Sequence, residues 1–347
     1  MTVGVIAAIF GFNVLFSYIL GFAVYRLLAK RNIFDKPNAR SSHSEPTVRG
    51  GGIAIIVVAL CSGVVIAAVR HDSGLWILVG AAVVLAVVSF LDDLQPLPPL
   101  IRFGCHALCA IAAVAALRGF ITSVELSSGL FVRIPTVLAA ILAFMWISGY
   151  TNAFNFMDGI NGIAAGQAAV TAFGSGLLVG LATGDWLQTP VLFSFVLAGA
   201  AVGFLPHNFP RARMFMGDVG SAPLGFLLAT LVIWISRRDG AWLLIPLALL
   251  HTNFVLDTGF TLSRRIMRRD RWYESHREHF YQRLTRAGKT HSFVTGWEFA
   301  LQMVALALML SYLYSSALIR ISLIAVVLAM WTGFLLYCEV QFRRAQK

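Results

Sequence analysis

Long apolar runs separated by short polar segments succeed one another along the whole chain. Eleven can be read, near 3–28, 52–69, 74–91, 100–118, 134–151, 161–182, 188–206, 219–236, 241–262, 292–315 and 320–341. Each is close to the ~20 residues that a helix needs to cross a hydrocarbon core. A period of two shows only at 119–133 (GFITSVELSSGLFVR), where apolar and polar residues alternate about Ser-Ser-Gly, the pattern of a small hairpin. The pattern therefore predicts an all-α polytopic membrane protein with about 11 transmembrane helices and one short β-hairpin. No internal repeat stands out, and no polar stretch is large enough to fold alone, so residues 1–347 read as one integral membrane domain.

Composition narrows the class further. Hydrophobic residues make up 58% of the chain and charged residues 12%, with a mean hydropathy of +0.78. A soluble domain carries roughly twice that share of charge. A soluble enzyme, a disordered chain and a nucleic-acid-binding domain are excluded. The net charge of +11 then reads as the positive-inside bias of a membrane protein. With the N-terminus outside, only Arg70, Arg118, Arg133, Arg237, Arg238 and Arg320 of the 27 Lys and Arg fall on the outer side. The expected topology is N-terminus out and C-terminus cytosolic, with the hairpin outside. Cys61, Cys105, Cys109 and Cys338 sit in or beside apolar runs without paired ligand spacing, and read as packing residues.

That topology places every unusual polar cluster on one face, in segments 29–51, 92–99, 151–160, 207–218 and 263–291. Asp92 and Asp93 close an apolar run, where adjacent carboxylates call for a cation, although a solvated helix end would also serve. Asn152, Asn155 and Asp158 recur every three residues on one helical face, beside Gly159 and Gly162; polar glue between packed helices is the plainer reading. Asp218, flanked by Gly217 and Gly220, is either a helix N-cap or a metal ligand. Four carboxylates on one face favour Mg²⁺, with Mn²⁺ as substitute, over zinc. Residues 264–289 hold nine Lys or Arg together with His276 and His279; anionic lipid accounts for many of the arginines. The aromatic and histidine pattern from Trp272 to Arg283 suits a nucleoside diphosphate better. Arg102 follows Asp92 by ten residues and could hold phosphate or anchor a helix end. Asp257 could belong to the site or pair with Arg264 or Arg265. Carboxylates for metal, with Arg and His for phosphate, point to phosphoryl transfer.

Five motifs, in order across 46–283, resemble the polyprenyl-phosphate N-acetylhexosamine-1-phosphate transferases. They are Pro-Thr-Val-Arg-Gly-Gly-Gly at 46–52, Asp92-Asp93, Asn152-x-x-Asn155-x-x-Asp158-Gly159, the stretch from Asn208 through Phe-Met-Gly-Asp-Val-Gly-Ser ending at Ser221, and the histidine segment at 276–279. The resemblance implies Mg²⁺-dependent transfer of an N-acetylhexosamine 1-phosphate from a UDP-sugar to undecaprenyl phosphate, with release of UMP, at the cytosolic face of a bacterial inner membrane. The partners are then the UDP-N-acetylhexosamine, the polyprenyl phosphate and membrane lipids, with no nucleic acid; a homodimer is compatible with it. It makes Asp218 the first choice as metal ligand, with Asp158 beside it, and sets Asp92 and Asp93 next to the lipid phosphate. Asn152, Asn155 and Asp158 would face the nucleotide or the metal, Asn208 and Arg102 would bind substrate, and His276, Arg277 and His279 would bind the pyrophosphate or the sugar nucleotide. Spaced histidines with an arginine between them look closest to the subgroup that begins O-antigen on N-acetylated deoxyhexosamines. The pentapeptide transferases of peptidoglycan synthesis, which have adjacent histidines, are the alternative donor class. An anion transporter is the alternative of a different kind, but it would need ionisable residues near the bilayer midplane.

Overall fold

The computed structural model describes residues 2–35, 45–127, 130–270 and 276–346. Residues 36–44 of the first polar loop and 271–275 of the last, with the aromatic pair read there, lie outside the described residues. The helices are α1 (Thr2–Lys30), α2 (Ile53–Arg70), α3 (Ser73–Leu94), α4 (Pro99–Ala116), α5 (Thr136–Met157), α6 (Ile163–Thr183), α7 (Thr189–Asn208), α8 (Asp218–Asp239), α9 (Leu244–Leu249), α10 (Thr252–Met267), α11 (Phe280–Arg286), α12 (His291–Leu313) and α13 (Ala317–Ala345). Ten of them are long and apolar enough to cross a membrane among the described residues.

The expected span at 241–262 is not a straight helix. It is divided into a first piece, 241–249, and α10, with a bend of 71° between them. The break leaves the Leu250 carbonyl without a helical partner. Gln167 Nε2, Thr171 Oγ1 and Gln302 Nε2 donate to it at 2.9, 3.2 and 2.6 Å. Inside a bilayer an irregular backbone is tolerated only where the protein itself supplies such partners. An apolar pattern does not reveal the break, because the two pieces together are still long and apolar enough to read as one span.

Helices α6, α7 and α8 are enclosed by the rest, whereas α1, α4 and α13 turn most of their apolar surface outward. Lipid is as apolar as leucine, so close approach of backbones must hold such helices together. At Gly199 and Gly203 of α7, a side chain would run into the backbone of α1 at Phe10 and Val14. The Ser17 hydroxyl uses that proximity to donate to the Ala200 carbonyl at 2.7 Å. The hairpin forms where the alternation predicts it, with β1 (Phe34–Asp35) and β2 (Thr47–Val48) pairing in the first polar loop, and β3 (Ser123–Ser127) against β4 (Leu130–Arg133) in register Ser123↔Arg133.

Candidate active site

Three segments meet at the start of α8. The stretch Val48–Gly52 lies along Met214–Met216: Phe215 N donates to Val48 O, Gly51 N to Phe215 O and Gly52 N to Met216 O, each at 2.8 Å. Glycines make this possible. A side chain on Gly52 would collide with the Gly220 backbone, and one on Gly217 would meet both the Asp93 carboxylate and Gly50. Gly217 also adopts φ +74°, which favours glycine. The glycine runs are thus the means by which Arg49, Asp93 and Asp218 come together.

Asp93, at the end of α3, has a side chain with 0% exposure. Its carboxylate accepts the Asp218 and Val219 amides, both at 3.0 Å, and the Arg49 Nε at 2.7 Å. It therefore caps α8 from another helix, at the positive end of the helix dipole. Arg49 Nη2 also reaches Asp218 at 3.4 Å. Burial disfavours the Arg49 charge, but Asp93 and Asp218 outweigh it and hold its pKa above the ordinary guanidinium value. Asp92 accepts the Leu97 amide and Arg102 Nη1, the latter at 2.9 Å, and Arg102 lies 3.7 Å from Asp218. Asp218 consequently sits between two arginines, with its side chain 23% exposed.

Asp158 ends α5 beside this group. Burial, and then the nearby Asp218 and Asp93 charges, push its carboxyl up to about 8 against the pull of Arg49. No hydrogen bond from the described residues reaches that carboxylate. Asn155 Nδ2 donates to Ser221 Oγ at 2.9 Å, one turn into α8. Asn152 Oδ1 faces His106 Nδ1 of α4 at 3.0 Å, while its amide nitrogen donates to Ser148 O. Asn152, Asn155, His106, Arg102 and Asp218 line one small cavity.

Asn208 stands apart from that cavity. Its side chain accepts from Gly162 N at 2.7 Å and donates to Met214 O at 2.9 Å, so it ties two loops together. His279 is buried and its Nδ1 lies 2.8 Å from Asp257, which also accepts the Phe280 and Tyr281 amides and the Thr261 hydroxyl. Arg264 and Arg265 pair instead with Glu339 and Glu278, and Arg283 also pairs with Glu339. Four of the nine basic residues, Arg264, Arg265, Arg268 and Arg283, are thus engaged by two glutamates, Glu278 and Glu339. His276 packs 4.9 Å from His279, ring to ring, and burial, His279 and Arg265 lower its pKa to about 4. The carbonyl of Arg277 accepts from Arg286 at 3.2 Å. Tyr281 joins the two halves: its hydroxyl donates to Phe156 O at 3.3 Å and lies directly over Gly159, where a side chain would strike it.

Three groups of this site do not stand out in the sequence. Arg49 lies inside the motif at 46–52, where the following glycines are the signal that something buried must approach. Tyr281 and His106 look like ordinary aromatic and interfacial residues apart from their partners. Of the two expectations for Asp257, the structure gives neither Arg264 nor Arg265 but His279 as its partner.

The oxygen ligands on offer here come from carboxylates and side-chain amides, the set preferred by a hard divalent cation, while His106 Nδ1 faces Asn152. Among the described residues no three carboxylate, imidazole or thiol groups already stand as a ligand set. A crowd of carboxylates with Asp158 lacking any donor nevertheless fits such an ion, with Asp158 and Asp218 as the residues to hold it.

Residues 75–236 match the glycosyl transferase family 4. A probable undecaprenyl-phosphate N-acetylglucosaminyl 1-phosphate transferase of Bacillus subtilis is 26% identical over 82% of this chain and 80% of its own length. A decaprenyl-phosphate N-acetylglucosaminephosphotransferase of Mycobacterium tuberculosis is 30% identical over 77% and 72%. An undecaprenyl-phosphate alpha-N-acetylglucosaminyl 1-phosphate transferase of Thermotoga maritima is 28% identical over 92% and 94%. The family match contains Asp92, Asp93, Arg102, Asp158 and Asp218, and with relatives 30% identical over most of its length the chain belongs to glycosyl transferase family 4, among the polyprenyl-phosphate sugar-1-phosphate transferases.

Proposed function

We propose that this protein transfers an N-acetylhexosamine 1-phosphate from a UDP-sugar to a polyprenyl phosphate such as undecaprenyl phosphate, releasing UMP, and so begins a lipid-linked envelope glycan. The observation that carries the reading is Asp218, placed at a helix N-terminus between Arg49 and Arg102, with Asp92, Asp93 and Asp158 around it. The names of the relatives favour N-acetylglucosamine as the sugar.

A phosphate monoester is mostly dianionic at neutral pH, since its second pKa is near 6. It is already a nucleophile, and the main barrier is bringing two anions together. Arg102 is the group that meets the acceptor phosphate, held in place by Asp92. Arg49 adds positive charge on the other side of Asp218. The Asp158 and Asp218 carboxylates would hold Mg²⁺, which supplies electrostatic stabilisation of the charge that moves onto the departing UMP. His276, Arg277 and His279 meet the donor's pyrophosphate from the α10–α11 segment, with Tyr281 fixing their distance from Asp158. Asp93 positions rather than binds: three donors fill its carboxylate and none of its surface is open. The same filling by Gly162 and Met214 makes Asn208 a positioning residue as well. The excess of Lys and Arg on the site's side of the chain supports a cytosolic site in a bacterial inner membrane.

Purified protein in detergent, given undecaprenyl phosphate, Mg²⁺ and a panel of UDP-sugars, is expected to release UMP with UDP-N-acetylglucosamine or a deoxy analogue. Release only with the UDP-N-acetylmuramoyl pentapeptide would assign the donor to the peptidoglycan step. No UMP with any donor would sink the reading and leave transport of an anion as the alternative.

A further inference from the structure

Behind the loop that carries Asp158, the bundle encloses an acid that the transfer chemistry does not use. Glu298, two turns into α12, is 6% exposed, and it lines a small cavity of about 10 Å³ with Gln167, Asn253 and Gln302. That is room for the centre of one water-sized sphere. Among the described residues no Lys, Arg or His lines this space. An uncompensated carboxylate inside a membrane span is costly, and such residues mark proton or ion sites.

The hydrogen bonds around it can be followed without ambiguity. The Leu250 carbonyl can only accept, so the nitrogens of both Gln167 and Gln302 must face it. Gln167 Oε1 is then the acceptor for Asn253 Nδ2 at 2.8 Å, and the same nitrogen donates to Glu298 Oε2 at 3.1 Å. Two oxygens remain, Asn253 Oδ1 and Gln302 Oε1, on residues 3% and 2% exposed, with no hydrogen-bond partner among the described residues. An orphaned buried acceptor forfeits a hydrogen bond and its desolvation cost. A proton on Glu298 would supply one donor for two orphaned oxygens. A water would supply two donors but leave the carboxylate charge uncompensated. A cation answers all three oxygens and the charge together.

We propose that this cavity binds one dehydrated monovalent cation of about sodium's size, held by the Glu298 carboxylate, Asn253 Oδ1 and Gln302 Oε1. One carboxylate neutralises a monovalent ion, whereas a divalent ion would leave net charge in the bundle interior. The ion links α10 to α12 at the break in the ninth span, against α6. One turn away, the Thr295 hydroxyl donates to Asn161 O at 2.7 Å, which ties this region to the loop after Asp158. The proposal does not depend on the transferase reading.

The test is thermal unfolding of the detergent-solubilised full chain, without divalent ions, as choline chloride is replaced by NaCl at constant ionic strength. A saturable rise in melting temperature on the order of 2–4 °C is expected with Na⁺ or Li⁺ and not with Cs⁺. Glu298→Gln keeps the shape and should abolish the dependence. Gln302→Met should raise the half-saturating Na⁺ concentration about tenfold, and it serves if the first variant cannot be purified. Equal melting in every salt of the wild-type protein, or a Na⁺ dependence unchanged in these variants, overturns the proposal and leaves a protonated acid with a water.

Discussion

Replacing Asp93 by Asn separates positioning from chemistry at this site. The carboxylate accepts two backbone amides at the start of α8 and one guanidinium nitrogen, all at 2.7–3.0 Å, in a pocket closed to solvent. An amide keeps one acceptor oxygen and presents an NH₂ where the other oxygen was. One charge-assisted bond is lost, worth about 1.5–3 kcal/mol, and one buried N–H is left facing a donor, at a further cost of about 1–3 kcal/mol. Loss of the Arg49 pair adds little, because Arg49 is a third exposed and retains Asp218. The expected destabilisation of about 3–5 kcal/mol should lower the melting temperature by roughly 5–10 °C. The assay is thermal unfolding in detergent, with Asp218→Asn as the control. Asp218 shares its space with other carboxylates and makes no such cap, so its amide variant should melt at or above the wild-type temperature. If Asp93→Asn melts within about 1 °C of wild type, or if Asp218→Asn falls as far, the cap from α3 onto α8 is not what holds the site.

Activity should follow the opposite order. Asp218→Asn is expected to lower UMP release by about 10²-fold or more while the protein stays folded, and turnover above that of Asp93→Asn would contradict the assignment. Arg49→Lys keeps the charge but cannot span Asp93 and Asp218 together, so kcat should fall about tenfold or more; wild-type turnover would show that the bridge is unimportant. Gly159→Ala drives a methyl into the Tyr281 hydroxyl, so it should impair donor use, and the added change Tyr281→Phe should restore part of the loss, as KM for the UDP-sugar would report. His276 has a folded pKa near 4 against an ordinary value near 6.5, so between those values the unfolded chain binds the extra proton and stability falls as pH is lowered. Melting temperatures from pH 7 to pH 4 should show this loss, and His276→Gln should flatten that part of the curve; an unchanged slope would remove His276 as its source.

The hairpin and ten of the eleven spans could be read from the chain because burial in lipid leaves a signature in every residue of a helix. The motifs could be read because a polar group at the end of an apolar run is out of place. Pairing was another matter. Asp92 and Asp93 are neighbours with the same chemistry, yet one is capped by Arg102 and the other is sealed by α8. Asn208 sits in a motif with Asp218 but turns its side chain the other way, toward Gly162 and Met214. The direction of Asp93 is set by amides more than a hundred positions further along the chain, as Asp218 is met by the equally distant Arg49, whereas Asp92 turns to the nearby Leu97 and Arg102. Asp257 was equally undecidable, since Arg264 and Arg265 were its neighbours on one helix while its actual partner, His279, lies on the far side of a loop.

Amino-acid order alone therefore settled the membrane architecture, the clustering of polar groups between spans and the family of reactions they resemble, since each follows from local transfer free energy and residue chemistry. Only the folded arrangement decided that the ninth span is broken, that glycines 51, 52 and 217 allow Arg49 to reach two aspartates, and that Glu298 ends among surplus oxygens. Such features arise from contacts between distant segments, where one hydrogen bond made or missed changes a side chain from ligand to strut, and no periodicity records which of the two it becomes.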